Sequence, residues 1–249
     1  MGEHGIHIAL SSEKLFDFLS FPVSNTLIAS YLSISTLLVI AFFLRKNLKE
    51  LPGRFQALVE ALFEYVLSYM EEVLEDRKLA RKLFPIIMTI FLFILVSNWA
   101  EHLPIFETIF TKAGEGHEYV ALLKSANTDL NTTLALAIIS FFTVEILGVV
   151  TVGFWKYMGK FFNFSSPLNF AIGIIEFVSE LARLIAFSFR LFGNILAGEV
   201  LILVVKYFVP YFLPVPLMAF ELFVGFIQAA IFALLTLFFV KIAIAEVEH

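Results

Sequence analysis

Arg190 stands inside an apolar stretch that runs from about residue 167 to 209, in company with Glu176, Ser179, Glu180, Arg183, Asn194, Glu199 and Lys206. Charged side chains are costly in such a setting, and where they persist they usually move ions, line water or pair with one another. At about 100° per residue, Glu176, Ser179, Arg183 and Asn194 fall within about 40° of the Arg190 direction, so one helical face carries a polar stripe. Gly193 and Ala197 continue that face and would let another helix approach closely. Glu199 points the opposite way and reports to a different polar space. A guanidinium does not give up its proton in a protein, so Arg190 is a fixed cation that requires an anion. The carboxylates of its own stripe look too distant or too exposed to hold it. A carboxylate on another subunit, met transiently, would serve.

A second set follows. Glu221, Gly225 and Gln228 recur at i, i+4 and i+7 against Phe, Leu, Ile and Ala. Glu199 and Glu221 flank one turn and can meet at similar depth. Two buried carboxylates side by side cannot both stay charged cheaply, which suits them to taking up and passing on protons. Blander readings compete. Glu180, Arg183 and Lys206 read as structural ion pairs or snorkelling side chains. Asn194 and Gln228 equally fit hydrogen bonds between helices. Glu145 stands alone, with no role beyond a hydrogen bond or water contact, and His102 reads as interfacial. HExxH and other metal-binding clusters are absent from the sequence, Cys is absent too, and neither a metal nor a cofactor is expected. No basic surface argues for nucleic acid.

These residues must be positioned by helices in lipid. The chain has 249 residues, 60% hydrophobic and 16% charged, where a soluble domain carries about 25% charged residues. Its 31 Phe exceed what a soluble surface hides. Apolar runs of spanning length cover about 27–44, 83–102, 132–155, 167–209 and 214–245. Between the first two, at 52–76, Leu58, Leu62, Tyr65, Val66, Tyr69 and Val73 alternate with Glu60, Glu64, Glu71, Glu72 and Glu75. That suits an amphipathic helix on the membrane surface, or equally an exposed helix packed on the bundle. The fourth run would measure about 60 Å as one helix, twice the hydrocarbon thickness, and no Pro interrupts it after Pro167. It and the fifth form an over-long, oblique hairpin turned at Pro210, Pro214 and Pro216. The expected fold is an all-α membrane protein, a single-domain helical bundle with five membrane segments, one surface amphipathic helix and a long tilted C-terminal helical hairpin.

Lys and Arg set orientation. Arg45, Lys46, Lys49, Arg54, Arg77, Lys78, Arg81 and Lys82, nearly half of the 17 basic residues, lie between the first two spans. The loop at about 104–128 has only Lys112 and Lys124 against Glu107, Glu115 and Glu118. The N-terminus is therefore expected outside and the C-terminus in the cytoplasm. The first apolar segment reads as a retained helix, since no basic region precedes it.

The stretch EFVSELARLIAFSFRLFGNILAGE, Glu176–Glu199, closely resembles the signature of subunit a of the F-type ATP synthase. PVSNTLIASYL near 22, LVEALFEYV near 58, DLNTTLALA at 129, ELFVGFIQAAIFALLTL at 221 and the acidic tail EVEH extend the match over most of the chain. The resemblance implies a stator subunit beside a ring of c subunits, each with one membrane carboxylate, together with peripheral-stalk b subunits. Two offset aqueous half-channels would carry protons to and from that ring. Arg190 matches the family's essential arginine. Asn194, Glu199, Glu221 and Gln228 match the external half-channel, and Glu176 and Ser179 the cytoplasmic one. Many bacterial relatives carry His at the position of Glu221, and mitochondrial forms tend to place His at that of Glu199, so two acids leave the relay open. The frequent ARPLSLSLR reads ARLIAFSFR here, with Leu184 for Pro and Ala186 for Ser, which favours an unbroken helix. The resemblance also implies no covalent chemistry on this chain; a bacterial inner membrane is expected, and H⁺ is assumed as the coupling ion, the choice between H⁺ and Na⁺ being set by the neighbours of the ring carboxylate on another chain. The main rival, a secondary ion-coupled transporter, would show an internal repeat and broken helices; neither is visible. An intramembrane hydrolase would require a nucleophile–base pair or metal motif.

Overall fold

A computed structural model describes residues 12–18, 21–103, 110–113, 118–161 and 166–245. The EVEH tail and most of the N-terminal stretch before Ser12 lie outside the described residues, as do parts of the loop used for orientation. The elements in order are β1 (Lys14–Phe18), β2 (Phe21–Ser24), α1 (Asn25–Asn47), α2 (Arg54–Leu74), α3 (Arg77–Ala100), β3 (Phe110–Ala113), β4 (Glu118–Ala121), a short 3₁₀ turn, α4 (Leu130–Val152), α5 (Phe154–Phe161), α6 (Pro167–Phe208) and α7 (Pro214–Ala245). Helices α1, α3, α4, α6 and α7 are long and apolar enough to cross a membrane. The protein is an all-α membrane bundle.

Local chemistry starts these helices. Ser24 Oγ accepts the Leu27 N–H at the head of α1, and Asp129 Oδ1 accepts that of Asn131 at the head of α4. Asp76 Oδ1 takes the N–H groups of both Lys78 and Leu79 at the start of α3. Gly153 ends α4 with φ +97°, a conformation that favours glycine, and the chain re-enters a helix at once as α5. The run expected at 132–155 is thus a span plus a separate short helix. Two antiparallel hairpins, β1–β2 and β3–β4, were not expected from an apolar pattern; they lie outside the spanning segments.

The chain forms two compact units. The first comprises Met1–Ile40, Leu92–Thr133 and Phe189–Ala230. Within it Asn25 accepts from the Glu13 amide and donates to the Ala121 carbonyl, tying the start of α1 to β4. Thr26 donates to the Asp129 carboxylate at 2.9 Å. The second comprises Ala41–Phe91, Leu134–Ser188 and Ile231–His249. Its core joins Met70 and Leu74 of α2, Ala80, Leu83 and Ile87 of α3, Val144 of α4, Tyr157 and Phe161 of α5, and Ala233, Leu237, Val240 and Ala243 of α7. The C-terminal half of α2 is therefore packed on the bundle, while Phe55, Leu58, Leu62 and Tyr65 of its first half are exposed.

Candidate functional site

Helix α6 runs unbroken from Pro167 to Phe208, as the missing Pro at Leu184 suggested. Its buried side carries Phe187, Leu191, Ile195 and Ile202. Arg190 lies on the exposed side with Gly193, Asn194 and Ala197, and Ser179, Ala182 and Ala186 are exposed on earlier turns. Among the described residues, no carboxylate lies within ion-pair distance of Arg190. Ser179 turns its hydroxyl back to the Ile175 carbonyl.

In the first unit the acids gather on the other side of α6. Glu221 is 7% exposed, and its carboxylate occupies the space that a Cβ on Gly198 would fill. It is thereby brought against the residue preceding Glu199. Glu199 pairs with Lys124, whose ammonium is 3.4 Å from Oε1. A cavity of about 110 Å³ is lined by Glu101, His102, Glu199, Ile202, Lys206 and Met218. Burial and the nearby Lys206 charge hold the His102 imidazole below its usual proton affinity, so its neutral form is favoured here.

Glu221, Gly225 and Gln228 are all buried on one face of α7, and Gly225 there meets Asn98 of α3. The Asn98 amide donates to the Gly225 carbonyl at 3.0 Å and accepts from Asn127 at 2.6 Å. The Trp99 indole donates to the Leu222 carbonyl. Inside a membrane, where lipid tails offer no competing polar partner, such bonds fix how one helix sits on the next.

The second unit holds another charged group. Lys160 of α5 bridges Glu176 at 2.8 Å and Glu180 at 3.4 Å, and Glu180 pairs with Arg183 at 2.8 Å. Arg183 also lies over the Phe239 ring, 3.9 Å from its centre. Glu180 and Arg183 are thus an ion pair, the blander of their readings, and Glu176 is tied to them. Glu145 accepts a hydrogen bond from Tyr157 at 3.1 Å.

The chain matches, over residues 27–241, the family described as ATP synthase A chain. It belongs to that family. Among its relatives, an ATP synthase subunit a of Mycobacterium bovis is 36% identical over 232 residues, 91% of this chain and 89% of the relative. One of Campylobacter concisus is 32% identical over 216 residues, 86% of each chain, and one of Campylobacter curvus 33% over 211. As a member of the ATP synthase A chain family with five spans, the protein is an integral, multi-pass membrane protein.

Sequence reasoning missed Lys124, Lys160, Asn98 and Asn127. Lys124 entered only as a loop charge for orientation. The signal that was available is the polar trio Ser97–Asn98–Trp99 closing an otherwise apolar span, beside which α7 required a hydrogen-bonding partner. Nothing local to Lys124 or Lys160 shows which acid either lysine reaches.

Proposed function

We propose that this chain is the proton-translocating stator subunit of a rotary ATP synthase and provides two offset half-channels to a ring of c-subunit carboxylates. The observation that carries the reading is Arg190 itself: a permanent cation on an exposed face of α6, among the small residues Ala186, Gly193 and Ala197, with no carboxylate of the described residues beside it. Such a face suits a close helix bearing an anion.

A ring carboxylate arriving at Arg190 meets a fixed positive charge that favours its ionised form, and it releases its proton. Arg190 also blocks direct leakage between half-channels, because it cannot relay by losing its own proton. Once re-protonated, the neutral carboxyl re-enters lipid at little electrostatic cost. Asn194, Glu199, Glu221 and Gln228 serve the external half-channel, and Glu176 and Ser179 the cytoplasmic one. The N-terminus lies outside and the C-terminus inside, as the basic residues between α1 and α3 require. The membrane is a bacterial inner membrane, the ion is H⁺, peripheral-stalk b subunits hold the chain against rotation, and ATP chemistry takes place on other subunits.

The absence of Cys from the sequence makes the ring contact testable. Single cysteines at Ala186, Gly193 or Ala197 should form oxidative cross-links to cysteines on the outer c-ring helix and stop rotation. Cysteines at the buried Leu191 or Ile195 should not. Cross-linking that ignores this face would refute the contact.

A further inference from the structure

Helix α1 ends at Asn47 and α2 begins at Arg54. Between residues 45 and 54 four cations, Arg45, Lys46, Lys49 and Arg54, stand against one acid, Glu50. All four cations are exposed, and none is in an ion pair among the described residues. Leu48, Leu51 and Phe55 are interleaved with them and are 60%, 87% and 71% exposed. The connection is held in shape by Gln56, whose side chain accepts the Lys49 N–H at 3.1 Å and donates to the Lys49 carbonyl at 2.9 Å. The same amide donates to Glu60 at 2.7 Å. Helix α2 continues the surface. At about 100° per residue, Phe55, Leu58, Leu62 and Tyr65 fall within about 80° of one another, and all four are exposed. Val66 and Met70 occupy the adjoining arc and pack in the core. Glu60 and Glu64 lie about 140° or more from the middle of the exposed stripe, whereas Arg54 borders it, about 20° from the Tyr65 direction. The apolar arc is thus wider than the bundle covers, edged by a cation and clear of acids.

We propose that residues 45–55 form a binding site for anionic phospholipid headgroups. Arg45, Lys46, Lys49 and Arg54 meet the phosphates, and Leu48, Leu51 and Phe55 enter the boundary with the acyl chains. The site is independent of the half-channels. Leu51 stands four residues beyond the end of a span, at most about 14 Å of extended chain, so α1 delivers it to the membrane surface. Clustered Lys and Arg beside a span or on an amphipathic helix attract anionic lipid, and a guanidinium matches a phosphate with two parallel hydrogen bonds. Orientation alone would call for the positive charge at this end of α1. It would not call for bulky apolar side chains exposed between the charges, nor for a clamp at Gln56 that keeps the two kinds of side chain together.

Because the chain has no Cys, a single fluorescent label can be placed on this surface. The complex carrying Leu51→Cys, freed of cysteines elsewhere and labelled, is reconstituted in phosphatidylcholine vesicles. These contain equal fractions of either brominated phosphatidylglycerol or brominated phosphatidylcholine, and bromine quenches the label on contact. Quenching by the anionic lipid should exceed that by the zwitterionic one about threefold. Salt at about 1 M, which shortens the Debye length to about 3 Å, should narrow the difference. Replacing Arg45, Lys46, Lys49 and Arg54 together by Gln should bring the two lipids level. A label at Glu64→Cys, on the far side of α2, should be quenched by neither. Equal quenching by the two lipids in the chain with all four cations overturns the site, as does a preference that survives the salt or the fourfold replacement. Quenching at Glu64→Cys as strong as at Leu51→Cys overturns it too. Absence of quenching at Leu51→Cys means that another subunit covers the surface, and the site is then refuted. If the fourfold variant does not assemble, Lys49→Gln with Arg54→Gln decides: about half of the preference or more should go, and an unchanged preference overturns the site.

Discussion

Arg190 and Glu221 occupy opposite surroundings, the guanidinium on an exposed helix face and the carboxylate 7% exposed against a glycine. The contrast matches what each group is proposed to do with a proton. An arginine remains charged wherever it is placed, which suits the barrier and counter-charge proposed for Arg190. A buried carboxylate changes state with small changes around it, which suits the carrier proposed for Glu221. Gly198 is part of the second arrangement, because any side chain there would displace the Glu221 carboxylate. Gly198→Ala should cost about 1–3 kcal/mol of stability through overpacking and lower pumping about tenfold. Thermal melting and ATP-driven pumping of the reconstituted complex check both, with Gly159→Ala as the control, since a Cβ there meets nothing within 4 Å. The polar stripe of α6 was legible from spacing alone, because helical periodicity is a local property. The lysine partners of Glu199, Glu176 and Glu180 were not, because nothing in the sequence around a lysine says which acid of another element it reaches.

At the scale of elements, apolar length identified the five spans, and the breaks between them followed from residues with restricted or unusual backbone freedom. Gly153 separates α4 from α5 and lets Lys160 come round to Glu176 and Glu180. An L side chain at φ +97° is strained, so Gly153→Ala should destabilise by about 1 kcal/mol or more. It should also weaken the Lys160 pairs with Glu176 and Glu180, and a lower melting temperature would report both effects. The β-hairpins were illegible by the same logic that revealed the helices: short strands outside the apolar runs give no periodic signal long enough to read. Helix α2 shows the limit from another side. Its amphipathic pattern fixes which face is apolar, and only the fold reveals that Met70 and Leu74 enter the core while Leu58 and Tyr65 remain exposed.

For the whole molecule, composition alone put the chain in lipid, and the RLFGN and AGE segments gave the family that the match over residues 27–241 then established. What composition could not supply is the anion that answers Arg190. Among the described residues this chain has none within reach, and the anion proposed for it is a carboxylate of a partner that moves past. The most direct measurement is ATP-driven proton pumping by the complex reconstituted with Arg190→Ala, with ATP hydrolysis and ring assembly followed in the same preparation. The expected result is an assembled complex that no longer acidifies the vesicle interior. Sustained acidification at a rate near that of the unaltered complex would contradict it.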